Sequence, residues 1–333
     1  MEAISRKADP VNLLQSIAQP GMDLISLAEN GIQEAISGCT GVVHDMCTHI
    51  AQSGGKRIRP QLVLLGGLAF SPFNQTLLQA AVASELIHMA SLVHDDILDE
   101  SNMRRGRSSV NHQWGNHAAV LCGDWLFAKA FAILSDNKLQ MSMGYMVEAI
   151  QDMCHGELVQ AANRYNLEIT IDKYNEQIIQ KTAKLLECCC KSGAAAGGAN
   201  QEQIQAMGDF GHSLGMAFQI MDDVLDFLGS PQKMGKPKGE DLQQGLITLP
   251  VILLMKDTQF SATAKELIHA DNFNQIDVDK VKNLLIISGV MEQVNQMASS
   301  YIEQAKNCLN KIPESGGKSC LLSLASSLQQ REN

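Results

Sequence analysis

No run of about 18 or more apolar residues occurs in this 333-residue chain, so no membrane-spanning helix is predicted. Met1 to Pro10 carries charge but no following apolar stretch with a small-residue cleavage site, and no secretory leader is expected. Positive charge is in deficit. Lys and Arg number 26 against 36 Asp and Glu, a net charge of −10, which argues against broad non-specific nucleic-acid binding. The nine cysteines are odd in number and lack paired C-x-x-C spacing, which excludes a disulfide framework and a zinc site. The run Cys188-Cys189-Cys190 reads as small buried hydrophobes, and the expected location is a reducing cytoplasm. The phrase G-x-x-x-x-G-K-[ST] is absent too, so no nucleotide P-loop is indicated.

What is present is helical periodicity, with no convincing strand. Val11 to Ile50 has helical pattern broken at Pro20-Gly21. Gln75 to Asn102, opening near Pro72, is a second helix and ends before the polar Arg104-Arg105-Gly106-Arg107 loop. Further helices are predicted over Trp114–Leu134, Leu139–Asn163, Ile171–Ala196, Gln201–Leu228, Gly245–Met255, Val278–Ile286 and Val290–Leu309, with Pro313 as a stop. Ser53–Gly55 and Gly229–Gly239 read as loops. No linker separates two hydrophobic cores and no short repeat occurs. The expectation is an all-α protein built as one large single-domain helical bundle over 21–333, preceded by an N-terminal helical or partly flexible segment at 1–20.

Two acidic phrases stand out, Asp95-Asp96-Ile97-Leu98-Asp99 and Asp222-Asp223-Val224-Leu225-Asp226, each of the form D-D-x-x-D within apolar helical pattern. Acids at i and i+4 share one helix face, and two bare carboxylate rows repel unless something positive intervenes. Mg²⁺ takes oxygen ligands and keeps waters and substrate phosphates in its shell, so the pair suggests a polyphosphate held through metal ions. One such motif alone is equally a solvated helix end. Its recurrence in an apolar frame shifts the balance.

His88, Asp95 and Asp99 lie on one stripe, and Arg104-Arg105 follow within a few residues. Arginine's planar fork suits phosphate oxygens. Gly54-Gly55-Lys56-Arg57-Ile58-Arg59-Pro60 could cradle a second phosphate group, since glycine lets backbone approach a ligand, although alone it is a weak signal. Gly211 and Gly215 imply a close neighbour or a ligand, and either reading holds. Gln219 lies one turn before Asp222. Lys181-Thr182 and the loop lysines Lys233, Lys236 and Lys238 are ordinary surface residues when taken singly.

Taken in order, these motifs resemble the all-trans isoprenyl (polyprenyl) diphosphate synthases. The resemblance runs from about Leu24 to the C-terminal helices. It is carried by Gly54-Gly55-Lys56-x-x-Arg59-Pro60, Asp95-Asp96-x-x-Asp99 with Arg104-Arg105-Gly106, and Gly156-Glu157. Lys181-Thr182, Gln219-x-x-Asp222-Asp223-x-x-Asp226, Gly235-Lys236-Pro237 and Thr248-Leu249-Pro250 complete it. The pattern is similar to the bacterial long-chain synthases that make quinone side chains, among them the heptaprenyl catalytic component.

The resemblance implies the isoprenoid synthase fold with a central apolar cavity. It implies Mg²⁺ on Asp95, Asp99 and Asp222, with Asp96, Asp223 and Asp226 as further ligands or support. Arg104, Lys181, Thr182, Gln219 and Lys236 would hold an allylic diphosphate, while Lys56, Arg59, His88 and Arg105 would hold isopentenyl diphosphate. Asp95, Asp96, Asp99, Arg104, Lys181 and Asp222 would carry the catalysis. Gly245-Leu246-Ile247 stands where the family often has a lysine. Ala90 and Ser91 stand where short-chain members place a bulky aromatic, which implies room for a long product, and Phe127 and Phe131 could form a deeper floor or be core. A homodimer is implied, or a heteromer with a small accessory subunit. A short-chain (farnesyl or geranylgeranyl) synthase and a non-catalytic subunit of a heteromeric synthase are the alternatives.

Overall fold

The computed structural model describes residues 23–136, 139–229, 238–268 and 276–329. In chain order the elements are α1 (Leu24–Ser37), α2 (Gly41–Ala51), α3 (Ile58–Leu68), α4 (Gln75–Leu98), β1 (Met103–Arg104), β2 (Arg107–Ser108), α5 (Val110–Trp114), α6 (Asn116–Asp136) and α7 (Gln140–Ala162). They continue as α8 (Ile171–Ile178), a π-helical turn (Ile179–Ala183), α9 (Lys184–Ala196), α10 (Gln201–Leu228), α11 (Glu240–Gln243), α12 (Leu249–Lys256), α13 (Ser261–Leu267), α14 (Val278–Ile287), α15 (Val290–Cys308), a 3₁₀ turn (Leu309–Lys311) and α16 (Gly316–Gln329). The protein is all-α, as its periodicity implies.

Helix starts follow the capping residues. Asp23 accepts from Ile25 N at 3.0 Å, Asn74 from Leu77 N at 3.0 Å and Thr170 from Lys173 N at 3.2 Å, each satisfying an amide the first turn leaves open. The predicted Val11–Ile50 helix lies outside the described residues up to Met22 and is then broken at 38–40. Among the described residues five helices were not anticipated: α3, α5, α11, α13 and α16. The predicted Gln75–Asn102 helix stops at Leu98, because Glu100 adopts a left-handed φ of 49°. The expected basic loop is a two-residue β-hairpin, in which Arg104 pairs with Arg107. Arg105 and Gly106 supply the two positive φ angles that such a turn requires.

The chain forms two compact units. Among the described residues the first comprises 23–136, 139–147, 188–208 and 308–327. Within it α4 is buried on most sides through Ala80, Ala83, Leu86, Ile87, Ala90 and Val93, and α3 and α6 pack on it. The second comprises 148–187, 209–229, 238–268, 276–307 and 328–329. Its core joins Met216, Ile220, Val224 and Phe227 of α10 to Leu249, Ile252 and Leu254 of α12 and Val294 and Ala298 of α15.

By length and composition alone, α4 and α6 could each cross a membrane. Two-thirds of the apolar window of α4 is buried, against one-third in α6. No disulfide forms among the described residues.

The predicted Ile171–Ala196 helix is interrupted by the π-turn. Two neighbours press on that turn. A Cβ at Gly156 would lie 2.9 Å from Gln180 Cβ and 3.1 Å from Lys181 N, and one at Gly215 would lie 2.5 Å from Ala183 Cα. Gly215 is therefore small for a packing reason. Gly215→Val is expected to cost about 3 kcal/mol, as overpacking against backbone does, measured as a lower urea midpoint. An unchanged midpoint would show that the turn yields freely.

Candidate active site

The first unit gathers its charges at the end of α4. Asp95 is half-buried and Asp99 exposed, four residues apart on one face. Asp96 points inward at 0% exposure. Its Oδ1 accepts from Arg104 Nε at 2.9 Å and also from Nη2, while Oδ2 is buried without a hydrogen-bond partner. Burial raises the Asp96 pKa, and Arg104 opposes that rise without cancelling it. Asn111 Nδ2 and Ser101 N both donate to the Asp96 carbonyl, at 3.1 and 2.9 Å. Asp96 therefore fastens the arginine hairpin to the helix end.

The glycine-rich phrase closes the other side. Arg105 Nη1 donates to the Gly54 carbonyl. Arg57, at a left-handed φ of 48°, is buried and donates through Nη1 to Glu85 Oε1 at 2.8 Å and through Nη2 to the Ala51 carbonyl at 2.7 Å. Sequence reasoning assigned nothing to Arg57 or Glu85. A basic residue followed 28 positions later by an acid inside an apolar helix was the available signal.

Burial lowers the Arg59 pKa, and Glu85 pulls it back most strongly. Arg59 Nε is buried without a hydrogen-bond partner. His88 is held well below its usual pKa by burial, with Arg59, Arg105, Arg104 and Arg57 all acting in the same direction, so its imidazole is neutral at pH 7. Four guanidinium groups thus crowd one buried histidine, an arrangement that favours an anion. Lys56 is exposed beside them. Ala90 is fully buried, and Ser91 Oγ donates to the His88 carbonyl at 2.9 Å. Phe127 and Phe131 are half-buried, and the Phe127 ring lies 5.8 Å from that of His94.

The second unit holds the other acidic phrase. Asp222 is half-buried, whereas Asp223 and Asp226 are 2% exposed. A chain of hydrogen bonds ties this phrase to the π-turn. Thr182 Oγ1 donates to Gln219 Oε1 at 2.8 Å, Gln219 Nε2 to Asp223 Oδ1 at 3.0 Å, and Tyr174 Oη to Asp223 Oδ2 at 2.6 Å. Burial pushes the Asp223 carboxyl up to about 8, opposed by Tyr174 and Gln219. Burial, then Asp223 itself, raises the Tyr174 phenol well above its usual range.

Lys181 Nζ, presented by the π-turn, pairs with Glu157 at 2.5 Å and donates to Gln160 Oε1 at 2.8 Å. Irregular turns of this kind recur at functional positions. Sequence reasoning missed Tyr174 and Gln160. Lys233, Gly235, Lys236 and Pro237 lie outside the described residues. Leu246 is half-buried beside a bond from Tyr165 N to the Gly245 carbonyl at 2.8 Å.

Among the described residues no ready-made cage of three or more Asp, Glu, His or Cys side chains exists. In the first unit Asp95 and Asp99 are carboxylates that solvent can reach, and in the second unit Asp222 is. One or two carboxylates on a helix face suit Mg²⁺, which completes its shell with water and substrate phosphate, and do not suit zinc, which prefers nitrogen and sulfur.

The polyprenyl synthetase family profile matches residues 40–285. The chain is 32% identical over 311 residues to heptaprenyl diphosphate synthase component 2 of Geobacillus stearothermophilus, covering 93% of this chain and 96% of that protein. It is also 32% identical over 312 residues to a short chain isoprenyl diphosphate synthase of Methanothermobacter thermautotrophicus, covering 92% and 96%. A polyprenyl synthase crystal structure from Caulobacter crescentus, in complex with calcium and isoprenyl diphosphate, superposes with a TM-score of 0.86 at 28% identity, covering 98% and 99%.

Proposed function

The chain belongs to the polyprenyl synthetase family and is a prenyltransferase, and from that premise we propose that it is a long-chain all-trans polyprenyl diphosphate synthase. It adds isopentenyl diphosphate head to tail onto an allylic diphosphate, reaching hexaprenyl to decaprenyl length. The allylic C–O bond ionises, the isopentenyl double bond attacks the cation, and a proton is lost to the departing diphosphate.

Asp95, Asp99 and Asp222 would hold Mg²⁺. When bound, that ion supplies Lewis-acid neutralisation of charge on the leaving group. Arg104, Lys181, Thr182, Gln219 and Lys236 hold the allylic diphosphate, and Lys56, Arg59, His88 and Arg105 the isopentenyl one. Of these, Arg104, Arg105 and Lys181 are cations already held by protein partners, and such preorganised charge contributes most as negative charge develops. A neutral His88 contributes a hydrogen bond rather than a charge.

The observation that carries the chemistry is the arginine cluster around His88, beside a helix end bearing Asp95 and Asp99. The length assignment rests on small side chains at Ala90 and Ser91, one turn before Asp95. We further assign the protein to the cytoplasm and a homodimeric assembly. Val120 and Leu121 of the sparsely buried α6 are 42% and 56% exposed, a patch that a second copy would cover. A heteromer with a small subunit is the second reading, favoured by the component-2 relative.

Incubation with farnesyl diphosphate, labelled isopentenyl diphosphate and Mg²⁺ tests the assignment. Products longer than geranylgeranyl diphosphate are expected, and Ser91→Phe is expected to shorten them. A dominant geranylgeranyl product from the unaltered protein would sink the long-chain reading. Activity appearing only with added cell extract would favour the heteromer.

A further inference from the structure

We infer that Tyr174 is a positioning residue for the allylic diphosphate, acting through Asp223 and Gln219 on the π-turn that presents Lys181 and Thr182. This rests on the function proposed above and extends it to a residue outside the D-D-x-x-D, Lys-Thr and glycine-rich phrases.

The chain of contacts is continuous. Tyr174 lies on α8 immediately before the π-turn, is 2% exposed, and donates to Asp223 Oδ2 at 2.6 Å. The opposite oxygen of the same carboxyl takes Gln219 Nε2 at 3.0 Å, and Gln219 Oε1 takes the Thr182 hydroxyl at 2.8 Å. Every polar link is therefore used, from a buried phenol to the residue beside Lys181. The order also fixes orientation. In its ionised form Asp223 accepts on both sides, so Gln219 turns its NH₂ toward it and leaves Oε1 facing Thr182. Thr182 donates its hydroxyl proton to Gln219 in this arrangement, and would turn it to a diphosphate oxygen when that ligand binds.

Removing the phenol proton donor leaves one oxygen of a buried carboxyl without a partner, which is more costly than losing a surface hydrogen bond. Asp223 would recover a donor by drawing Gln219 toward the empty side. Thr182 would lose its acceptor, and the turn carrying Lys181 would lose its register. Tyr174 itself need touch neither substrate nor metal, so its loss should be felt in one substrate's binding.

Tyr174→Phe in the full chain with Mg²⁺ is the test. The expected result is a rise of about tenfold in KM for farnesyl diphosphate, the scale of one lost hydrogen bond to a charged group, with KM for isopentenyl diphosphate changed less than twofold. Calorimetry with the thiolo analogue of farnesyl diphosphate, which resists ionisation, should show the same weakening without turnover. In an Asp223→Asn background the Tyr174→Phe effect should largely disappear, since both changes cut one chain. Equal changes for both substrates, additive effects, or an unchanged allylic KM would overturn the assignment even where the unaltered enzyme is active. Should Tyr174→Phe fold poorly, Asp223→Asn alone must show the same allylic-selective loss, and its absence is equally decisive. Unaltered protein that neither turns over farnesyl diphosphate nor binds the analogue would instead remove the synthase reading, and this inference with it.

Discussion

Asp95→Ala is expected to abolish most turnover, lowering kcat/KM by at least about 10²–10³-fold, the loss seen when one preorganised stabiliser of developing charge is removed. The fold should survive, because Asp95 stands half-buried at the end of α4 rather than inside it. Asp96→Ala gives a different signature. Asp96 is fully buried and carries the Arg104 side chain, so its removal frees the hairpin as well as a carboxylate. Activity should fall together with the melting temperature. Steady-state kinetics paired with thermal denaturation separates the two: Asp95→Ala loses rate at nearly constant Tm, and Asp96→Ala loses both. An assembled enzyme that keeps full activity with Asp95→Ala would indicate a non-catalytic subunit.

Glu85→Ala should produce the largest loss of stability. The Arg57–Glu85 pair is almost completely enclosed, with side-chain exposures of 6% and 4%. Cutting Glu85 leaves the Arg57 guanidinium with only the half-exposed Glu29, whose Oε1 takes Nε at 3.4 Å, and the loss of a buried partner costs roughly 3–5 kcal/mol. At the entropy of unfolding typical of larger domains that is a fall in Tm on the order of 10 °C. Arg59 and Arg105 also feel Glu85, which opposes the lowering of both their pKa values. Replacing Arg57 and Glu85 together by leucine should restore much of the stability, because an apolar pair carries no stranded charge. A fall of less than about 3 °C for Glu85→Ala would mean that water and Glu29, already 3.4 Å from Arg57 Nε, suffice to hold the charge.

The acidic phrases were legible because i, i+4 spacing maps directly onto one helix face. What their spelling does not reveal is that Asp95 and Asp96 have separate fates, since inward or outward placement depends on Arg104 and Asn111 arriving from beyond the helix. The glycine-rich phrase was read as a cradle of Lys56 and Arg59. Its most buried arginine, Arg57, went unassigned because its partner lies on another helix. α3 went unassigned: it opens inside the same phrase, with Pro60 in its first turn and Gly66-Gly67 near its end, although proline is tolerated at a helix start. Tyr174 was invisible for a similar reason. Nothing local marks it, and only the fold brings its hydroxyl to Asp223.

The π-turn at 179–183 has a consequence for phase. Each α-helical residue advances roughly 100° around the axis, and a π-turn accommodates one residue beyond the regular count. The buried stripe of α8, with Tyr174 and Ile178, and that of α9, with Leu185, Cys188 and Cys189, therefore run in two different angular frames along one continuous path. A single helical wheel drawn over 171–196 smears the two together. Removing Gln180 would merge the frames, at the cost of turning Lys181 away from Glu157 or Tyr174 away from Asp223. Lys181 and Tyr174 keep their partners together only because the count is off by one.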